Sequence, residues 1–114
     1  MKKILLLSVI FISMTLNAST FQISKDACTN GQARGCTILG LIYVVGKEIK
    51  RDFAKGIKYL NEGCDLGDME GCQMLGIMYA NGTGVKKDLS ISREYFDKLS
   101  DFIKNKKSNK ERDD

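Results

Sequence analysis

The four cysteines are the residues whose type and spacing point most directly to chemistry. Cys28 and Cys36 are eight positions apart, and Cys64 and Cys72 repeat that spacing within the stretch GCDLGDMEGC. Cysteine pairs act as zinc ligands, as redox centres or as disulfides. Zinc sites usually separate paired cysteines by about two to four residues, and redox enzymes favour the C-x-x-C arrangement, which this sequence lacks. The spacing therefore favours disulfides.

The eight-residue separation predicts that the chain reverses between the two cysteines of each pair. On one unbroken helix, eight residues would place the Cα atoms about 12 Å apart, whereas a disulfide needs them within roughly 7 Å. Two glycines lie between the cysteines of each pair and supply a backbone that can turn. Four cysteines allow three pairings. Local geometry favours Cys28–Cys36 and Cys64–Cys72, each joining the end of one helix to the start of the next.

The N-terminal segment has the order of a secretory signal peptide. Lys2 and Lys3 precede an apolar run over 4–12, and Ala18 is a suitable last residue before cleavage. A membrane span needs about 20 mostly apolar residues, so this run is too short for one. We therefore predict a signal peptide over 1–18, a secreted or periplasmic mature chain, and no membrane span after cleavage. Export to an oxidising compartment agrees with disulfides.

The charge distribution gives no sign of a nucleic-acid surface. The formal net charge is +4, but residues 19–103 contain eleven basic and eleven acidic side chains, so the excess lies outside the predicted folded part. A domain that binds nucleic acid would carry a basic excess on one face. The segment over 105–114 contains no apolar residue, and we predict it to be a disordered, charged tail.

The sequence matches itself when it is shifted by 36 positions. A fixed period of this length is typical of a solenoid, in which stacked helix pairs bury a shared core. Gly46 and Gly82 follow apolar helical patterns, and Asp52 and Asp88 are placed to cap the helices that come next. The aligned positions include Cys28 and Cys64, Cys36 and Cys72, Leu39 and Leu75, Gly40 and Gly76, Tyr43 and Tyr79, and Tyr59 and Tyr95.

The period predicts an all-α fold, a short α/α solenoid of helix pairs held together by disulfides. We expect a partial repeat helix over 19–32, a first repeat over 33–67, and a second repeat with a capping helix over 68–104. Solenoids usually need about three repeats to bury a continuous core. The disulfides are therefore expected to supply part of the stability.

The first helices of the two pairs offer a candidate binding face. Residues at helical spacing on both helices would form an inner surface of the solenoid, although the same positions could equally be core. Arg34 and Glu70 occupy the same repeat position with opposite charges, so the face is not uniformly charged. The predicted face consists of Thr37, Leu41, Val44, Gln73, Ile77 and Ala80.

The sequence contains no recognisable catalytic constellation. It has no histidine, and histidine is the usual ligand of a hydrolytic metal and the usual base beside a nucleophile. An S-x-x-K motif is absent, and Thr83, which has Lys86 at that spacing, falls in a predicted loop. Asp65, Asp68 and Glu70 lie near a disulfide, where helix capping and solvation explain them better than acid–base catalysis. We predict no metal and no cofactor.

The stretch GCQMLGIMYANGTGVKKDLS resembles the core of a Sel-like repeat, the bacterial relative of the tetratricopeptide repeat. The cysteine pairs at eight-residue spacing resemble those of the Hcp-type secreted cysteine-rich proteins in that family. The resemblance covers about residues 21–103, nearly all of the predicted mature chain. One departure is Ser100, which stands where the period would place another cysteine, so the last helix is expected to cap the stack without a disulfide.

The resemblance implies two alternative functions. Sel-like repeats generally serve as scaffolds for protein interaction, which implies an exported module that binds a protein or peptide. Hcp-type members also carry a β-lactamase label, which implies a β-lactam or peptidoglycan-related ligand and β-lactam hydrolysis as the alternative. The residues themselves supply no mechanism for the hydrolysis.

Overall fold

The computed structural model describes residues 19–113, and within that range the protein consists of five α-helices without a strand. The helices are α1 (Thr20–Thr29), α2 (Ala33–Val45), α3 (Phe53–Asp65), α4 (Met69–Asn81) and α5 (Leu89–Asp113). The predicted signal peptide over 1–18 and the last residue, Asp114, lie outside the described residues. The all-α class predicted from the sequence is confirmed.

Each helix packs against its neighbours along the chain. Helix α1 lies on α2, α2 on α3, α3 on α4, and α4 on α5. The α2–α3 and α4–α5 pairs are two complete helical hairpins stacked side by side, so the predicted short solenoid is also confirmed. In the part of the chain that the structure describes, no helix is both long and apolar enough to cross a lipid bilayer.

Local capping signals set where the helices begin and end. The Asp52 carboxylate accepts a hydrogen bond from the backbone N–H of Lys55 at 3.0 Å, and Asp88 accepts from the backbone N–H groups of residues 90 and 91. Gly46 and Gly82 terminate α2 and α4 with φ angles of 69° and 70°. Only glycine adopts this left-handed backbone without strain, so these four residues fix the register of both repeats.

Two disulfides join consecutive helices across tight reversals, as predicted. Cys28–Cys36 ties the end of α1 to the start of α2, with Cα atoms 4.4 Å apart. Cys64–Cys72 ties α3 to α4 in the same way, with Cα atoms 4.7 Å apart. The first cystine is partly accessible through Cys28, whereas both sulfurs of the second lie in residues that are fully buried.

Glycines let the helix backbones approach closely where the two repeats meet. A Cβ added at Gly63 in α3 would lie 2.2 Å from Thr37 Oγ1 and 3.0 Å from the Thr37 backbone nitrogen. A Cβ at Gly71 in α4 would lie 2.9 Å from the same hydroxyl oxygen. Thr37 is therefore enclosed between α3 and α4, and the core cluster around Leu60 and Leu75 forms beside this crossing.

The structure differs from the prediction of a disordered tail over 105–114, because α5 continues as a helix to Asp113. The sequence after Gly84 contains no glycine or proline that would end the helix. Lys110 and Arg112 lie in the last turn, where their positive charges stabilise the helix by interacting with the negative end of its dipole. All side chains over 104–113 are exposed, so this extension is helical but remains highly charged.

We expect the two disulfides to be reduced in a fixed order under native conditions. Cys28 is partly exposed, whereas Cys64 and Cys72 are 0% exposed. A reductant therefore reaches Cys28–Cys36 directly, but reaches the second cystine only after α3 and α4 separate at their junction. Because the Glu62 carboxylate lies 3.6 Å from Cys28 Sγ and repels thiolates, a neutral phosphine is the suitable reagent. Alkylation and peptide mapping over time would contradict the structure if Cys64–Cys72 opened first.

We expect Gly63→Ala to destabilise the protein by about 1–3 kcal/mol, since its new methyl group overpacks the α2–α3 crossing at Thr37. Urea unfolding followed by circular dichroism would measure the loss. Asp101→Ala on the exposed face of α5 is the control, and its effect should stay within about 0.5 kcal/mol. Equal stability of the Gly63 variant and the parent protein would rule out the close approach.

Candidate functional site

The outward face of α2 forms an apolar groove. Ile38, Leu41, Ile42 and Val45 line a cavity of about 230 Å³ together with Lys47 and Glu48. The four apolar residues recur at helical spacing and therefore lie on one side of α2. Val45 is 58% exposed, which is unusual for a branched aliphatic side chain.

The composition of α2 explains this exposed apolar face. Every residue over 38–45 except Gly40 is apolar, so no polar stripe is available for the side that faces solvent. Helices α1 and α3 cover the other sides of α2, where Leu39 is 1% exposed. The sequence therefore leaves apolar surface uncovered on α2, and such patches are typical of interaction sites.

The structure places the predicted face of the first repeat mostly inside the stack. Thr37 is 0% exposed, and a Val44 methyl carbon lies 2.5 Å from where a Cβ of Gly56 in α3 would be. Both side chains therefore point at α3 rather than at solvent. Leu41 is the member that reaches the groove. Thr37 is therefore not on a solvent-exposed face, because Gly63 of α3 and Gly71 of α4 pack closely against it.

The equivalent residues of the second repeat are more accessible. Gln73 is exposed, Ile77 is 39% exposed, and Ala80 is half-buried. They differ from their counterparts in the first repeat because, in residues 19–113, only α5 packs beyond α4 on this side. The six predicted residues thus do not form one continuous surface, and Ile77 is the most exposed apolar residue among them.

Sequence reasoning did not identify Ile38, Ile42 and Val45 as part of a site. The available signal was the continuous apolar run itself, because a helix that is apolar on all sides but lies at a surface must expose some of it. In the second repeat, Asn81 takes the position of Val45. The uninterrupted apolar groove is therefore a property of the first repeat alone within the described residues.

Ion pairs lie next to the end of the groove that is formed by Ile38. Arg34 lies one turn before Ile38, and its guanidinium donates a hydrogen bond to the Glu70 carboxylate and lies 3.8 Å from Asp68. This hydrogen bond to Glu70, supported by the negative charges of Glu70 and Asp68, raises the pKa of Arg34. Arg34 and Glu70 occupy the same repeat position with opposite charges. Their ion pair links the start of α2 to the start of α4.

A pair of stacked tyrosines joins the two helices of each hairpin. The rings of Tyr43 and Tyr59 are stacked with centroids 5.7 Å apart, and those of Tyr79 and Tyr95 with centroids 5.9 Å apart. The Tyr95 hydroxyl donates to Asn61 at 3.0 Å, and burial raises the pKa of Tyr95. These contacts agree with a packing role for the repeated tyrosines.

The carboxylates near the second disulfide have structural partners. Asp65 forms an ion pair with Lys98, Asp68 caps α4 by accepting from the backbone N–H of Glu70, and Glu70 pairs with Arg34. These contacts leave the carboxylates with capping and bridging roles rather than a shared reaction centre. Thr83 is exposed in the loop between α4 and α5.

A cysteine–carboxylate cluster also lies at the first disulfide. One ligand atom each from Cys28, Cys36 and Glu62 lies within 4.8 Å of the others. In the oxidised chain, however, the two sulfurs are bonded to each other and are not thiolates, the form in which cysteine binds metals. The cluster therefore does not fit a metal while the disulfide is intact.

Comparison with solved structures finds the same arrangement of helices. Helicobacter pylori cysteine rich protein B is 34% identical and superposes with a TM-score of 0.67 over 72% of this chain and 62% of that chain. The protective antigen c5321 of uropathogenic Escherichia coli, which displays an SLR fold, is 28% identical with a TM-score of 0.65 over 71% of this chain and 17% of that chain. A Sel1 repeat protein from Oxalobacter formigenes is 26% identical with a TM-score of 0.65, covering 72% and 34%.

This chain therefore spans less than two thirds of the length of each of these three proteins. A comparison with curated proteins finds no match. The Sel1 repeat model matches residues 33–68 and 70–101, the segments that form the two helical hairpins. On this match and the shared cysteine-rich architecture, the chain belongs to the Sel1 repeat family, whose repeats generally mediate protein–protein interaction.

Proposed function

We propose that this protein is an exported interaction module that binds a segment of another protein in the apolar groove of α2. The observation that carries the proposal is the groove itself, in which Val45 is exposed and Ile38, Leu41 and Ile42 on the same helix face are only half-buried. Exposure of this apolar surface to water is unfavourable, and a partner that covers it lowers the free energy of the complex. Membership in a family of interaction repeats agrees with that role.

The dimensions and charges of the groove define the chemistry of the partner. From Arg34 to Val45 the helix rises about 16 Å, which matches about three turns of a partner helix. The floor is aliphatic, while Lys47 and Glu48 at one end and the Arg34–Glu70 pair at the other supply both signs of charge. The best fit is therefore an amphipathic segment with an aliphatic centre and charged or polar ends.

Location outside the cytoplasm is supported by the sulfur chemistry. Two disulfides and no free cysteine are found in residues 19–113. Disulfides persist mainly in oxidising compartments, so the native chain suits the periplasm or the cell exterior. The signal peptide over 1–18 would deliver it there, and its cleavage near Ala18 is part of this proposal.

β-Lactam hydrolysis remains a prediction of the resemblance alone. The side chains that could act on a β-lactam ring, Asp68 and Thr83, lie on different elements, and Asp68 is committed to capping α4. No observation in the described residues favours this activity over the interaction role. We therefore keep protein binding as the single proposed function.

We expect Val45→Asp to weaken partner binding about tenfold or more, since it places a charge on the apolar floor of the groove. Because Val45 is 58% exposed, the fold should persist. Ile23→Asp is the matched control, as Ile23 is 57% exposed but lies on α1, away from the groove. A photo-crosslinker at residue 42, used in the cell envelope, would identify the partner whose affinity is then measured by titration. Equal loss of affinity in both variants would contradict the proposal.

We expect the oxidised protein to turn over a chromogenic cephalosporin no faster than buffer, because the groove offers aliphatic side chains rather than a nucleophile with a base. Steady-state absorbance measured over a series of protein concentrations is the readout. Turnover that rises in proportion to the protein and is lost in Asp68→Asn would replace the interaction role by the hydrolytic one.

A further inference from the structure

Helix α5 carries a partly exposed apolar stripe that borders its contact with α4. Leu89, Phe96 and Ile103 follow one another at seven-residue intervals and are 60%, 37% and 42% exposed. Seven residues are nearly two helical turns, so the three side chains lie in one line about 21 Å long. One edge of the stripe contacts α4, because the Phe96 ring lies over Gly76. Ser92, one turn before Phe96 on the same side of α5, is buried and donates a hydrogen bond to the Gly76 carbonyl.

The first repeat shows what normally covers these positions. Leu89 and Phe96 stand 36 residues after Phe53 and Leu60. Leu60 is 0% exposed because α4 packs over it, and the Phe53 ring lies against Gly84 in the loop after α4. The second repeat thus covers α3, whereas in the described chain nothing occupies the equivalent position over α5. Leu89 and Phe96 therefore keep exposed apolar surface at positions that a following repeat would cover.

The charges beside the stripe are self-complementary. Arg93 and Asp97 lie one turn apart, both are exposed, and neither forms an ion pair within residues 19–113. In an antiparallel pair of α5 helices centred on Phe96, Leu89 of each copy lies opposite Ile103 of the other. The same arrangement brings each Arg93 next to Asp97 of the second copy.

We propose that α5 pairs with α5 of a second copy of this chain, antiparallel and two-fold symmetric, with Phe96 at the axis. The two-fold arrangement closes the assembly at a dimer. Head-to-tail stacking fits less well, because α1 at the other end corresponds to the second helix of a repeat and its exposed large apolar residue is Ile23 alone. The second copy thus covers the surface that a further repeat would cover in a longer solenoid.

The size of the contact sets the expected affinity. A line of three side chains about 21 Å long gives an interface below about 1,200 Å², in the range of transient complexes. Beyond Ile103 the helix surface becomes charged and ends the apolar contact. The dimer should therefore dissociate at micromolar concentrations, and monomer and dimer should exchange.

Sedimentation velocity of the oxidised full chain over a concentration series tests the proposal. The expected result is a monomer–dimer equilibrium that Arg93→Asp weakens about tenfold or more, since two acidic residues then face the same pair in the second copy. The double change Arg93→Asp with Asp97→Arg should restore the parent affinity. Ile103→Asp should also weaken the dimer, whereas Ile23→Asp, equally able to lower surface apolarity, should not.

Three outcomes would overturn the proposal. The first is a parent protein that remains monomeric at all concentrations, which would leave the stripe to a different partner. The second is a dimer that Arg93→Asp and Ile103→Asp leave unchanged. The third is a loss of affinity that the charge exchange fails to restore, which would exclude the antiparallel register. Circular dichroism of each variant shows whether a loss of affinity is caused by unfolding. The Val45→Asp variant tests the α2 groove separately, so failure of the dimer proposal does not bear on the proposed function.

Discussion

The architecture depends on two covalent links that hold the chain in tight reversals. Each disulfide brings Cα atoms within 4.4 or 4.7 Å of each other at a helix–helix corner. The loops they close are short, and each link is worth about 2–3 kcal/mol in the chain-entropy model. Such a contribution matters because two complete helical hairpins fall short of the roughly three repeats that usually stabilise a solenoid. With the corners fixed, the glycine crossings at Thr37 can bring three helices together.

The same construction leaves two kinds of surface. Helix α2 is held between α1 and α3, which bury Leu39 but cannot cover the aliphatic side formed by Ile38, Ile42 and Val45. Helix α5 is covered from one side only, so Phe96 is 37% exposed although its first-repeat equivalent, Leu60, is buried. One surface arises from the composition of a helix, and the other lies where no further helix covers α5 within the described residues. They lie on different helices and can act independently.

The sequence predicted the elements whose signals are local. Cysteine spacing and the glycines between the cysteines predicted both disulfides, and Gly46 and Asp52 predicted where α2 ends and α3 begins. Sequence reasoning failed where the exposure of a side chain depends on a neighbour that is distant in the sequence. Repeat alignment shows that Thr37 and Gln73 are equivalent, but not that one is buried by the next repeat and the other exposed. It likewise could not show that Arg34 and Glu70 meet, and composition alone did not reveal the helix over 105–113.

Comparison of the unfolding free energies of the oxidised protein and of Cys64→Ala/Cys72→Ala tests the central role of the disulfides most directly. Urea unfolding in the absence of reductant, followed by far-ultraviolet circular dichroism, gives both values. The account predicts a loss of at least about 2–3 kcal/mol, which is a large part of the stability of a small domain. Equal stability of the two proteins would show that helix packing alone holds the stack together and would contradict the account.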